Sequence, residues 1–318
     1  MCTSLHRRAF LGAAVGGIGA SVLLGGLAGR AFAQAASGSI AAVPLRDGVV
    51  QLTGAGCNVV LISSGDAAAL VDSGAPEHAS ELARVVREQT GGAPIERLFN
   101  THWHLEHTGG NDAFAADGAT IVAHENTRLW MSTEHYVDWL DRTFEPRPAS
   151  AQPTDTFFSH EPQPIGATVG NEPVEYGWLR EAHTDGDLYV FLPRANVLVA
   201  GGAVAAGTYP ILDYATGGWI GGLEDATRKL LDLVDNETLI VPDSGPAQRA
   251  AHLRAQLEMV TTVRGRVEDL MRKGRSAEEM LAAGVTKEFD AQWGGDPTRF
   301  VYNVYNGLWW QGRLDGSL

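Results

Sequence analysis

The segment Thr101-His102-Trp103-His104-Leu105-Glu106-His107 places three imidazoles and one carboxylate within six positions. These side chains are ligands of zinc and related ions. Three of the nine histidines beyond residue 33 fall here, a density that packing alone does not call for. On an extended segment, residues i and i+2 point the same way. His102 and His104 are therefore set to grip one ion. Glu106 joins them if the extension persists. His107 points elsewhere unless a turn at Gly109-Gly110 brings it back.

The elements around this segment must position it. Short apolar runs with glycine stops predict strands over 49–54, 58–65, 68–74, 95–100 and 118–125. The spacing of Leu82, Val85 and Val86 predicts a helix over 77–92. The strand at 95–100 delivers the chain into the histidine cluster. Strands return at 174–184, 187–193, 196–202 and 238–245, with helices over 221–234 and 247–273 and a last amphipathic helix over 296–314. Two mixed sheets packed face to face with helices outside satisfy this order. Residues 128–175 are rich in aromatics and prolines and predict a short helix followed by a long loop, either a lid or an aromatic cover for the core.

The 318 residues carry 24 Lys and Arg against 38 Asp and Glu. So acidic a chain argues against nucleic acid and anionic membranes as partners and leaves a small-molecule substrate as the expectation. Residues 1–33 read as a cleavable leader. Arg7-Arg8 begins a twin-arginine pattern, a Gly/Ala/Leu-rich run follows, and Ala31-Phe32-Ala33 offers a small-residue cleavage site. The expectation is export to the periplasm or beyond, no membrane anchor after cleavage, and one domain over 34–318. Removing the leader leaves 21 basic against 38 acidic residues, a charge of −17. Cys57 then stands alone, so no internal disulfide forms, and it reads as a small buried residue.

THWHLEHTGGN resembles the HxHxDH signature of the metallo-β-lactamase superfamily. Ala68–Gly74 (AALVDSG) resembles the strand ending in that family's first-motif aspartate, here Asp72. REAHTDGDLYVFLPRANVLVAGG resembles the segment carrying a further metal-binding histidine, here His183. The resemblance spans nearly all of residues 34–318 and implies an α+β fold, an αββα sandwich with the metal site at one edge. It implies a first zinc site of His102, His104 and His183, with Asp72 orienting a ligand histidine.

The second metal site departs from the family pattern. Glu106 stands where the family has aspartate, Gly202 where it has a bridging aspartate, and Ser244 where it has histidine. Only His107 matches, with Asp243 a partial substitute beside the lost histidine. One zinc is therefore expected rather than two. Glu106 has three candidate roles: general base, ligand of a weak second ion with His107, or structural acceptor. A zinc ion held by neutral histidines lowers the pKa of its water to about 7. The expected activity is hydrolysis of a small ester, lactone, thioester or lactam by the resulting hydroxide, with Glu106 or Tyr209 as candidate acids for the leaving group.

Two other readings stay open. The changes at Gly202 and Ser244 fit a binding or scaffold protein with a degraded site. An iron oxygenase of the same fold would take a carboxylate ligand from the position that is Gly202, which counts against it. His78, His124, His135, His160 and His252 read as surface or packing residues.

Overall fold

The computed structural model describes residues 39–158 and 164–315, with side chains to 312. The leader and His160 lie outside the described residues. The chain begins with strands β1 (Ala41–Arg46), β2 (Val49–Thr53), β3 (Val59–Ser64) and β4 (Ala67–Val71), an antiparallel meander. Helix α1 (Ala79–Gln89) crosses to β5 (Ile95–Phe99), which runs parallel to β4. The histidine segment follows β5 and leads into α2 (Leu105–Thr108) and α3 (Asn111–Ala116). Strand β6 (Thr120–His124) is parallel to β5, and α4 (Glu125–Ser132) follows it.

The region read as a long loop is more structured than its sequence indicates. It holds a small hairpin of β7 (His135–Val137) and β8 (Arg142–Phe144), then β9 (Asp155–Phe157), which extends the first sheet beyond β6. Its last part is β10 (Ile165–Val169), paired with β11 (Glu172–Trp178). The second sheet runs on through β12 (Leu188–Leu192), β13 (Val197–Val199) and β14 (Leu239–Val241). Helix α5 (Ile220–Leu233) links β13 to β14, which are parallel. Helices α6 (Ala250–Met271), α7 (Ala277–Ala282) and α8 (Thr298–Asp315) complete the chain, α7 in a stretch where no element was expected.

The seven-stranded and five-stranded sheets pack face to face. Side chains alternate across each strand. In β3, Val60 and Ile62 enter the space between the sheets with Val190 and Val199, whereas Val59 and Leu61 face α1. In the second sheet, Tyr189 and Leu198 meet Leu230 of α5 and Val260 and Val263 of α6. Both faces of both sheets are thus covered, which explains the near-continuous apolar runs of β3, β4 and β13. The architecture is the αββα sandwich. No helix among the described residues is long and apolar enough to cross a membrane.

This layering gathers function at one edge. The ends of β4, β5, β13 and β14 open toward the same rim, as does the segment that enters β12. Leu70 is fully buried in β4, two residues before Asp72. Leu70→Ala should destabilise the protein by about 2–5 kcal/mol through lost burial and the cavity left behind. Urea unfolding monitored by circular dichroism measures this directly.

Candidate metal centre

Strand β4 ends at Asp72, which takes a left-handed conformation with φ 65°. That conformation is uncommon outside glycine and is most accessible to Asn and Asp. It turns the carboxylate back toward the end of β5. There Oδ1 accepts the Thr101 backbone N–H at 2.8 Å, and Oδ2 accepts the Thr101 hydroxyl at 2.8 Å. The same Oδ2 lies 2.8 Å from His107 Nδ1. A fully buried carboxylate thereby fixes both the start of the histidine segment and its last imidazole.

His102 and His104 point to one side, as their spacing predicts. His183 meets them from the loop before β12. His102 Nε2 lies 3.1 Å from His104 Nδ1, and His183 Nε2 lies 2.9 Å from that same atom. Each ring's other nitrogen has an acceptor. His102 Nδ1 faces the Thr101 hydroxyl oxygen at 3.1 Å, whose proton is already given to Asp72. His104 Nε2 donates to Asp213 Oδ2 at 3.0 Å, and His183 Nδ1 donates to the Ile211 carbonyl at 2.7 Å. These acceptors assign the tautomers, so in the neutral rings three lone pairs converge. Such an arrangement is repulsive by itself and is relieved by a cation. Tetrahedral zinc with bonds of about 2.0–2.1 Å sets its nitrogens about 3.3 Å apart, close to the separations found. The donor set fits one such ion.

The electrostatics agree. Burial, reinforced by the neighbouring imidazoles, pushes His102 well below the ordinary histidine range. Burial and His104 bring His183 down to about 4. Both rings are neutral at pH 7, the form that ligates metal. The His183 loop is held by Asp187, whose carboxylate accepts the His183 N–H, the Thr184 N–H and the Thr184 hydroxyl.

Several contributors lay beyond sequence reasoning. Asp213 is buried and also accepts the indole N–H of Trp139 at 2.8 Å and the Thr216 hydroxyl at 2.6 Å. Burial raises its pKa, but these donors and His104 bring it below the ordinary carboxylate range. It comes from an irregular loop with no recognisable spacing to the histidines. Thr101 stood in plain view, and only its contact with Asp72 reveals its part.

Glu106 needs a correction. The extension does not persist, because the chain turns into α2 at Leu105. Glu106 is exposed in that helix and belongs to neither group of potential ligands among the described residues. The same early turn, ahead of Gly109, buries His107 against His102 with ring centroids 4.1 Å apart. His107 is clamped between carboxylates, with Nδ1 on Asp72 and Nε2 2.7 Å from Asp243 Oδ1. Burial opposes charge on this ring, yet Cys57, Asp72 and Asp243 together raise it well above its ordinary value. Asp243 is carried by the turn after β14, which buried Asn58 and Gln51 pin through the carbonyls of Pro242 and Gly245. Ser244 is exposed. Cys57 is buried as expected, within ligand distance of Asp72 and His107, and burial raises its thiol pKa.

Gly202 is more than a lost ligand. A Cβ built there would lie 2.3 Å from Cδ2 of His183 and 2.5 Å from its Cγ. The imidazole rests on the bare backbone. Tyr209 also falls short as an acid. It is buried and donates its hydroxyl to Asp290 at 2.7 Å, and burial with that bond raises its pKa. His124 is buried and stacks on Trp178, His135 packs among Trp103, Trp130 and Phe144, and His252 bonds the Ala205 carbonyl.

A four-layer αββα sandwich carrying a buried three-histidine cluster at its strand ends defines a class of metal-dependent hydrolase folds. The family model described as the metallo-beta-lactamase superfamily matches residues 52–256, and this chain belongs to that superfamily. Among solved structures it is similar to a metallo-beta-lactamase from Pontibacter korlensis, with a TM-score of 0.57 and 19% identity over 70% of this chain and 99% of that one. It is also similar to the stereoselective inverting sec-alkylsulfatase Pisa1 from Pseudomonas sp., with a TM-score of 0.62 and 16% identity over 84% of this chain. It spans half of the alkylsulfatase. At these identities the likeness is one of fold.

Gly202→Ala should push the His183 ring off its seat and weaken metal binding by about 10- to 100-fold, the usual effect of disturbing a ligand's support. Competition with a chelating dye tests this, and unchanged affinity would show that the backbone yields. In the metal-free protein His183 should stay neutral as pH falls from 8 and gain its proton only near pH 4, because its folded pKa is lowered. Histidine-selective NMR titration reads that midpoint, and a value near 6.5 would contradict it.

Proposed function

We propose that this protein is a hydrolase using one metal ion, zinc being the best match to three histidines, and that it acts on a small ester or thioester. The observation that carries the reading is the convergence of three imidazole nitrogens whose opposite nitrogens are all engaged. When bound, the ion supplies Lewis acidity and an activated water. His102, His104 and His183 would hold it. Asp213, Thr101 and the Ile211 carbonyl keep their tautomers correct.

Asp243 lies at the edge of the cleft beside the cluster. Its pKa is about 2, because the hydrogen bond and charge of His107 outweigh the cost of burial. It therefore stays ionised. Oδ1 is taken by His107, and no donor among the described residues meets Oδ2. That oxygen is placed to orient a water or a substrate donor. With Glu106 turned outward, Asp243 is the better candidate for this task.

The cleft also favours particular leaving groups. Three tyrosines line it, and each donates its hydroxyl to a carboxylate: Tyr209 to Asp290, Tyr214 to Asp138 and Tyr302 to Glu278. None is free to protonate a departing atom. Thiolates and phenolates leave without that help and amines do not, which favours thioesters and aryl esters over lactams. Lactones stay within the class. The sulfuric ester implied by the name of the alkylsulfatase relative is a further ester of this kind. The twin-arginine leader supports export to the periplasm, and the acidic surface supports a small-molecule substrate rather than nucleic acid or membrane.

The mature chain should bind about one zinc per molecule and hydrolyse phenyl esters or thioesters, lose both on chelation, and regain both on zinc addition. His183→Ala should lack both. Mass spectrometry of bound metal with a chromogenic ester, thioester and lactam panel tests this. A zinc-loaded chain inert toward the whole panel would favour the binding or scaffold reading.

A further inference from the structure

A cleft of about 880 Å³ lies between the turn that carries Asp243 and the C-terminal helix, next to the histidine cluster. Asp243 and Ile211 line its inner end, the first bonded to His107 and the second to His183. Its far wall is the first half of α8, with Arg299, Tyr302 and Asn303. This wall lies outside residues 52–256, so the family match does not account for it.

Arg299 is the single cationic residue lining the cleft among the described residues. Many arginines of this acidic chain hold a carboxylate, as Arg194, Arg264 and Arg266 do. Arg299 holds none among the described residues. Its guanidinium lies over the Trp139 ring, 5.6 Å from the centroid. A cation–π contact of this kind restrains the guanidinium without using its N–H donors, which stay available for an oxyanion. The two acids that line the cleft are each bonded elsewhere through one oxygen, Asp243 to His107 and Asp296 to the Thr298 N–H, and neither pairs with Arg299. The position also disfavours a cation on stability grounds, because Arg299 sits in the first turn of α8, where the helix dipole repels positive charge. Neither an ion pair nor the helix explains an arginine here.

We propose that Arg299, held over Trp139, binds an anionic group on the substrate, so that the substrate is an ester or thioester carrying a carboxylate or similar oxyanion remote from the scissile bond. The planar fork of Arg299 suits a two-oxygen anion. Tyr209, Pro210, Ile211 and Phe300 along the cleft meet the apolar segment between the two ends. The inference rests on the hydrolase reading for its substrate, but the anion subsite can be tested apart from turnover.

The experiment compares the zinc-loaded full chain with its Arg299→Gln variant in two measurements. Calorimetry follows binding of 4-phenylbutyrate and of its neutral counterpart 4-phenylbutanol. Kinetics follow kcat/KM for monophenyl succinate and for phenyl butyrate. The expected result is a preference for the anion in both, which falls by about 10- to 100-fold in Arg299→Gln, the range for loss of a charge-assisted pair. A preference for phenylbutyrate unchanged in the variant would place the carboxylate on the metal and overturn the proposal. Turnover without any anion preference would also overturn it while leaving the hydrolase reading intact. Anion binding lost in the variant, with no turnover of either ester, would support the subsite and count against the hydrolase. Arg299 is exposed, so the variant is expected to fold, and its melting curve checks this.

Discussion

The site depends first on the buried carboxylate of Asp72. It sits at a strand end in a backbone conformation that few residues adopt, and it gathers the Thr101 N–H, the Thr101 hydroxyl and His107 Nδ1 onto two oxygens. Through the Thr101 hydroxyl it also determines which nitrogen of His102 is left bare. A buried carboxylate is costly unless its lone pairs are met. Here they are met by the groups that must be immobile if three imidazoles from two distant segments are to converge. The parallel pairing of β4 and β5 brings Asp72 level with the end of Phe99, and the Asp72 N–H closes on the Phe99 carbonyl at 2.7 Å. The sandwich thus reaches the metal centre through one side chain.

Much of this was legible in the sequence. The strand runs of the two sheets could be read because residues buried on both faces leave long apolar stretches between glycines, as in Val59–Ser64 and Val197–Val199. His102 and His104 could be read because a strand end preserves period two for a few residues. Glu106 could not, since the choice between extension and helix at Leu105 is made by contacts of α2 with distant segments. The hairpin at 135–144 and strand β9 escaped because three-residue strands are too short to show a period. Asp213, Trp139 and Gly202 act only across the fold. Their roles arise from what stands opposite them, and spacing along the chain carries no trace of it.

The hairpin bears on the metal as well as on the cleft. Trp103, Met131 and Val137 form a small apolar cluster, and Trp139 packs against it. The indole N–H of Trp139 reaches Asp213, which orients His104. The opposite requirement, a planar surface beneath Arg299, falls on the same ring. One aromatic side chain therefore supports a metal ligand with its edge and a cleft residue with its face. This accounts for the aromatic richness of a segment that would otherwise read as cover for the core.

The altered second site follows a consistent physical logic. Asp72 and Asp243 place two carboxylates on either side of His107, in a region closed to water on the Asp72 side. Two anions at that separation need a positive charge between them. Here the His107 imidazole, which these carboxylates raise well above the ordinary histidine range, meets one of them at each nitrogen. Gly202 fits the same account, since the absence of a side chain there is what admits the His183 ring at its observed depth. Substitutions that look like decay in the sequence thus leave a cluster at His107 whose groups satisfy one another, with the three converging histidines His102, His104 and His183 still in place.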